Sequence, residues 1–335
     1  MAARSVRDVA QHAGVSVGTV SNVLNHPEKV LPATVARVLE SIDQLGFIRN
    51  AAARQLRAGR STTIGLILLQ ASNPFFTEIA RGVEETASEL GFATLLGNSD
   101  QNHRRELAYL ELFEQQRVHG VLISPVGDVT ARLEGLRRTG IAAVLVDRSG
   151  AGSRCSSVSV DDVAGGQLAV QHLIEQGRRR IAFLGGRFEF RQVTDRLEGA
   201  RRAVAAHPGV TLEMIEVGTL DVLAGRSAGD RLRDLPADER PDAIFAVNDL
   251  LALGVMQSLV MLGEVPIPRD IALIGYDDID FASTAVVPLS SIRQPSEQIG
   301  ATALEILLEE AEDPTLAPRQ VVFQPSLVAR ASTTG

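Results

Sequence analysis

Two short helical stretches joined at a single glycine constrain this chain more than any other feature. Ser5 stands three residues before Asp8, the spacing of a capping box, and Val6, Val9, Ala10 and Ala13 follow as one apolar stripe. Gly14 leaves room only for a tight turn. Ser16 is placed to cap a second helix that carries Val20, Val23 and Leu24 inward. Pro32 suits the first turn of a third helix, with Val35, Val38, Leu39 and Ile42 on one face and Gly46 at its end. Two helices joined this closely can lay one across a nucleic-acid backbone and the other in the major groove.

Charge supports that reading once it is divided along the chain. The net charge of the 335 residues is -8, which alone argues against a nucleic-acid partner. Residues 1–60, however, hold eight Lys and Arg against four acids, a surplus of +4 that leaves -12 on the remainder. A basic head on an acidic body meets phosphates at one end and repels them elsewhere. The length exceeds one compact domain. Cys155 is the single cysteine, so no internal disulfide can form, and no signal-like or membrane-length apolar run is present. A cytoplasmic location is expected.

Asn50 caps a run, Asn50-Ala-Ala-Ala-Arg-Gln-Leu-Arg57, that spans about two and a half helical turns. A piece this short does not hold itself together in water and should become helical only when supported. From Thr63 onward short apolar runs alternate with helical windows. Ile64–Leu69, Ala93–Leu96, Val121–Ile123 and Ala142–Val146 read as strands. The alternation restarts after Asp161, with strands at Ile181–Leu184, Glu213–Val217, Ala243–Val247 and Ile271–Ile274 and a helix near Arg196–Ala206. Such patterns imply doubly wound parallel sheets covered on both faces, and two passes imply two similar lobes. The expected division is a DNA-binding head over 1–49, a hinge helix and linker over 50–61, and a two-lobed body over 62–335.

These features together resemble the lactose-repressor family of bacterial transcription regulators. The resemblance is carried by the Val6-Arg-Asp-Val-Ala…Gly14-Val-Ser…Thr19-Val-Ser…Val23-Leu-Asn25 head and the Asn50…Ala53-Arg54-Gln55-Leu56 hinge. It continues through Asn73-Pro74-Phe75-Phe76, Asp195-Arg196-Leu197-Glu198-Gly199 and Ile274-Gly275-Tyr276-Asp277-Asp278. It implies an all-α helix-turn-helix head on an α/β periplasmic-binding-protein-like body. It also implies a homodimer on a palindromic operator and a small effector between the lobes. No heptad tail follows Ala329, so a tail-mediated tetramer is not expected.

In the head the second helix is the reading helix. Val17 can touch a thymine methyl and Asn22 can bond an adenine edge bidentately, with Ser21 beside it. Ser5, Ser16, Thr19 and Asn25 are placed for phosphates, which fix position without carrying sequence information. Gly18 lacks the long polar side chain often found there and costs the helix roughly 1 kcal/mol relative to alanine. Leu31 stands where a polar cap is usual. In the hinge, Leu56 can wedge between base pairs from the minor groove while Ala53 permits close helix-helix approach. Arg54 and Arg57 would meet phosphate or groove edge.

Ligands of parallel sheets bind beyond the carboxyl ends of the strands. Carboxylates and amides collect just past the strands of this chain, and they suit paired hydroxyls. The resemblance supports Asn73, Phe76, Asp147, Arg196, Asn248 and Asp277 as pocket residues; Phe75 and Arg148 lie beside them in sequence, and Phe190, Arg191 and Gln192 lie in a loop entering the pocket region. A sugar or polyol is preferred over a purine. Neither a dinucleotide fingerprint nor a phosphate loop appears, and the six histidines are scattered. No catalysis, metal or cofactor is expected. The rivals are a sugar-binding protein with a vestigial head, and a regulator answering to a nucleobase or a partner protein.

Overall fold

A computed structural model of the chain describes residues 4–47, 61–150, 154–188, 190–261 and 265–334. It divides into two compact units, Met1–Ser61 and Thr62–Gly335. The expected hinge, with Asn50, Ala53, Arg54, Leu56 and Arg57, lies outside the described residues.

The head unit has three helices: α1 (Val6–His12), α2 (Val17–Asn25) and α3 (Pro32–Leu45). The capping box forms at α1: Ser5 N donates to Asp8 Oδ2 at 2.7 Å and Asp8 N donates back to Ser5 Oγ at 3.4 Å. Gly14 turns the chain with φ at 63°, and Gly46 ends α3 with φ at 59°. Both angles favour glycine because a Cβ there would crowd the backbone. Val9, Ala10, Ala13, Val20, Val23, Val38 and Phe47 form the small core. Leu39, expected in that core, is instead half exposed. The apolar face of α3 runs through Val35, Val38, Ile42 and Leu45, and Leu39 falls one step outside it. Leu31 precedes α3 without a side-chain cap, 76% exposed.

The body is two sandwiches of helix, sheet and helix. The first lobe contains β1 (Thr63–Leu68), α4 (Pro74–Glu89), β2 (Ala93–Asn98), α5 (His103–Gln115), β3 (Gly120–Ile123), α6 (Thr130–Arg138), β4 (Ala142–Val146) and β5 (Ser156–Val160). The second contains α7 (Asp162–Glu175), β6 (Arg180–Gly185), α8 (Arg191–Ala205), β7 (Thr211–Glu216), α9 (Val222–Asp234), β8 (Ala243–Ala246), α10 (Asp249–Met261), β9 (Ala272–Asp277), α11 (Asp280–Thr284) and β10 (Ser290–Arg293). The chain then returns to the first lobe for α12 (Ser296–Glu312) and β11 (Gln320–Phe323). It ends in the second lobe with β12 (Ser326–Val328) and α13 (Ala331–Thr334). The sheets run β11-β5-β4-β3-β1-β2 and β12-β10-β9-β8-β6-β7. Every pairing is parallel except that of β10 with β12. The chain therefore passes between lobes three times, at Asp161, at Gln294-Pro295 and at Gln324-Pro325.

Several elements lay beyond the apolar pattern. β5 reads Ser-Ser-Val-Ser-Val, yet all five residues are buried. Its serines are tolerable inside because Ser157 Oγ donates to Gln320 Oε1 at 2.5 Å and Ser156 Oγ donates to Glu310. Helix α8 begins at Arg191, five residues ahead of expectation, which brings Gln192 and Arg196 onto one helix.

Helix pairs that flank the sheets approach backbone to backbone. A Cβ on Gly166 of α7 would stand 2.0 Å from the Arg196 carbonyl oxygen of α8, and one on Gly199 would stand 2.0 Å from Val163 O. Only hydrogen fits at these two positions. The same reciprocal approach recurs between α9 and α10 and between α4 and α12.

Candidate functional site

The carboxyl ends of both sheets face one cavity of about 50 Å³ between the lobes. Asn73, Phe75 and Phe76 enter from α4 and the turn before it, and Asp147 follows β4. The second lobe supplies Phe190 just before α8, Gln192, Val193 and Arg196 from α8, Val247 and Asn248 after β8, and Asp277 at the end of β9. Leu69, Leu220 and the two phenylalanines give the cavity apolar walls; the rings of Phe75 and Phe76 meet edge to face, centroids 5.1 Å apart.

Arg196 is 6% exposed and held on every side. Its Nε donates to Asp162 Oδ1 at 2.7 Å, its Nη1 donates to Val247 O at 2.7 Å, and its guanidinium lies over the Tyr276 ring at 3.6 Å. Burial opposes its charge, but Asp162, Tyr276, Asp277 and Asp147 outweigh that and hold its pKa above the usual arginine value. One guanidinium thus sits among three buried carboxylates.

Those carboxylates are short of positive charge. Burial, with Asp162 as a like-charged neighbour, pushes Asp147 up to about 8. Burial also pushes Asp277 up to about 6, against the pull of Arg196. Asp277 accepts from Asn73 Nδ2 at 3.1 Å and from Gln294 Nε2 at 2.8 Å. Asp147 accepts from Gln192 Nε2 at its carbonyl oxygen (2.7 Å) and at Oδ2 (2.9 Å). The Asn73 and Gln192 bonds each tie one lobe to the other. Asp147 Oδ1 is buried with no hydrogen-bond partner, and an acceptor in that position calls for a donor from whatever enters.

Of the nine residues expected at an effector site, eight wall this cavity. Arg148 does not: it is half-buried, and its charge acts on Glu106 and Asp128 instead. A residue following Asp147 directly leaves the strand end in the opposite direction. Asn73 and Asn248 also serve as helix caps, Asn73 Oδ1 accepting from Phe75 N and Asn248 Oδ1 from Leu251 N. Sequence reasoning did not single out Asp162, Gln101 or Gln294. Asp162 opens a helix and reads as a first-turn acid, whereas Gln294 lies on the second passage between lobes, where no apolar pattern marks it.

In the head, Ser16 Oγ accepts from Thr19 N at 3.0 Å and so caps α2. Val17 is 42% exposed, and Ser16, Gly18, Asn22 and Asn25 are exposed as well. Asn25 Nδ2 donates to Ser21 O at 2.9 Å, and Ser21 is half-buried, as is Thr19. Val20 and Val23 point inward, so positions 17, 18, 21, 22 and 25 share the outward face. Ser5 is exposed at the start of α1. Among the described residues no His, Cys, Asp or Glu side chains group as metal ligands, and no helix is long and apolar enough to cross a membrane.

Comparison with known proteins accords with both units. Residues 5–50 match the family described as bacterial regulatory proteins, lacI family, and residues 170–333 match a periplasmic binding protein-like domain. The chain is 34% identical to the HTH-type transcriptional repressor PurR of Vibrio vulnificus (strain CMCP6), over 97% of each chain. It is 34% identical to the ribose operon repressor of Escherichia coli (strain K12), over 98% of this chain and 99% of that one. Among solved structures, the Lac repressor dimer bound to operator and the anti-inducer ONPF superposes with a TM-score of 0.83 at 26% identity, covering 100% of both chains. A LacI family transcriptional regulator from Enterococcus faecium with bound ribose superposes with a TM-score of 0.73 at 28% identity. That match covers 81% of this chain and 98% of the other.

Proposed function

This chain belongs to the lacI family of bacterial regulatory proteins and is a DNA-binding transcriptional regulator; from that premise we propose which effector it answers to and which residues carry the two activities. It acts in the cytoplasm as a homodimeric repressor, without catalysis of its own. The effector is a monosaccharide or polyol. The observation that carries this is the cavity chemistry: Arg196 as donor and Asp147 Oδ1 as unfilled acceptor, within a wall of Phe75, Phe76, Phe190 and Leu220. Vicinal hydroxyls donate to a carboxylate and accept from a guanidinium at once, while an apolar ring face lies on phenylalanine. Relatives named for ribose, or holding it, support the same class.

On the DNA side, α2 reads the major groove through Val17, Ser21 and Asn22, with Ser5, Ser16, Thr19 and Asn25 on phosphates. The Asn50–Arg57 hinge gains helix on a bent operator, with Ala53 at the approach of two copies, Leu56 as wedge and Arg54 and Arg57 on the backbone or groove edge. Occupancy changes the angle between lobes and with it the ability of two hinges to meet, so effector and operator share one coupling free energy. The test is a thermal-shift panel of sugars, polyols and purines on the full chain, followed by gel shifts on palindromic fragments. Stabilisation by a sugar or polyol, and altered operator affinity in its presence, is the expected result. Stabilisation by a purine alone would sink the assignment.

A further inference from the structure

The distribution of charge around the cavity narrows the effector further, on the reading of that cavity as a sugar site. Two carboxylates, Asp147 and Asp277, wall it, and two more stand directly behind. Asp162 lies under Arg196, and Asp249, fully buried, accepts from Ser291 Oγ at 2.7 Å and Ile279 N at 2.9 Å beneath the turn that follows Asp277. Among the described residues Arg196 is the one cation in the wall, and two of its nitrogens are already committed to Asp162 and Val247. The arginines nearest in sequence are turned to other work. The charge of Arg148 acts on Glu106 and Asp128, Arg191 pairs with Asp195 at 3.3 Å with its side chain 63% exposed, and Arg187 lies 4.8 Å over the ring of Phe190, itself a wall residue.

One feature favours an anion. The first turn of α8 has no side-chain cap, and Gln192 and Val193 of that turn reach the cavity wall. A helix start contributes about half a positive charge. It works against two acidic side chains in the same wall, one of them tied to Gln192 itself. Both are already held above their ordinary pKa by burial and by the like charge of Asp162 behind them. A space that resists the negative charge it owns resists a phosphate dianion more.

We infer that the effector is an uncharged, unphosphorylated sugar or polyol and that the cavity rejects the phosphate ester of the same compound. The regulator then senses its sugar ahead of phosphorylation. Phosphoryl transfer from a nucleoside triphosphate to a sugar hydroxyl is one reaction class that would remove the signal. The hydroxyl oxygen bonds the γ-phosphorus, the bond to the nucleoside diphosphate breaks, and the hydroxyl proton leaves to solvent. The ester so formed no longer fits.

Matched pairs test this on the full chain by thermal shift and titration calorimetry: D-ribose with D-ribose 5-phosphate, D-fructose with its 6-phosphate, and D-glucose with its 6-phosphate. In any pair that binds, the free sugar should bind at least about a hundredfold more tightly than its ester. Asp147→Asn, compared with the parent above pH 8 where the Asp147 carboxyl is ionised, should weaken the free sugar and narrow that ratio. A phosphate ester bound as tightly as its parent, or more tightly, overturns the inference while leaving a sugar site in place. Failure of every member of every pair, with a purine binding instead, removes the sugar reading and this inference with it.

Discussion

Replacing Gly166 by alanine tests whether the Arg196 site depends on two helix backbones meeting. The new Cβ would lie 2.0 Å from Arg196 O, whereas ordinary contact begins at 3.4 Å. Helices α7 and α8 must therefore separate by roughly 1.4 Å at this point, the difference between those distances. Forcing one carbon into a packed crossing costs about 1–3 kcal/mol. Alanine returns up to about 1 kcal/mol as the better helix former. Taken at the middle of both ranges, the net loss of about 1–2 kcal/mol lowers Tm by roughly 2–6 °C for a body of this size. The site suffers separately. Asp162 stands one turn before Gly166 on α7, so the same separation stretches its 2.7 Å bond to Arg196 Nε beyond hydrogen-bond range. Loss of one charge-assisted bond predicts effector binding weaker by about 10-fold to 100-fold. Differential scanning calorimetry and titration calorimetry read the two effects. Gly135→Ala is the control, because it makes the same exchange within α6 with nothing nearer than 3.8 Å; it should hold or raise Tm. If Gly166→Ala matched that control in Tm and the parent in effector affinity, the crossing would not be what holds Arg196.

Arg196→Lys keeps the charge but loses the planar fork and the stack on Tyr276, so effector binding should fall at least about tenfold; unchanged calorimetric affinity would refute the role given to the guanidinium. The raised carboxylates set a pH dependence: Asp147 near 8 and Asp277 near 6 keep protons in the folded body that the unfolded chain releases, so stability falls as pH rises from about 4 through about 8. Asp147→Asn should gain in Tm relative to the parent across that window, and a difference independent of pH would contradict the argument. Asn22→Ala should weaken operator binding by about 1–3 kcal/mol in a gel-shift titration, with unspecific DNA unaffected. Leu56→Ala should lose most specific affinity while the head stays folded by NMR, and unchanged operator binding would end the wedge reading.

What the sequence disclosed follows from where its physics is local. The capping box of Ser5 and Asp8, the Gly14 turn and the inward Val20 and Val23 are decided within one or two helical turns, and all appear in the structure as read. The parallel strands declared themselves as apolar runs because helices cover both faces. β5 stayed hidden because its serines are paid for by Glu310 and Gln320, more than 150 residues away in the chain. The site was legible where a polar residue ends an apolar strand, as at Asp147 and Asp277. Gln294 gave no such sign, because a glutamine on a crossing segment looks like any solvated residue until its partner is placed, and Gln192, expected in a loop entering the pocket, reaches it from the first turn of α8. Arg148 shows the converse: adjacency in sequence to a pocket residue does not confer its direction.

On the proposed coupling, the three passages between lobes are what would tie occupancy to lobe angle. The first runs through Asp161 into Asp162, which bonds Arg196. The second contains Gln294, whose amide donates to Asp277. Asp277 and Asp278 are consecutive left-handed residues, with φ at 103° and 56°, so their side chains diverge, one into the cavity and the other away from it. Asp278 accepts from Arg293 Nε at 2.7 Å and from Arg330 Nη1 at 2.6 Å. Arg293 is the last residue of β10 before the second passage, and Arg330 follows the third by five residues. Each passage is thus within a bond or two of a cavity group. Proline at two of them fixes one backbone angle and restricts the residue before it, which confines the bending to few torsions. A ligand that draws Asp147 and Arg196 together from opposite lobes must turn these passages. It shifts the closed population only by the extra contacts it makes there, which is why an occupant reaching just one lobe would bind without being felt at the operator.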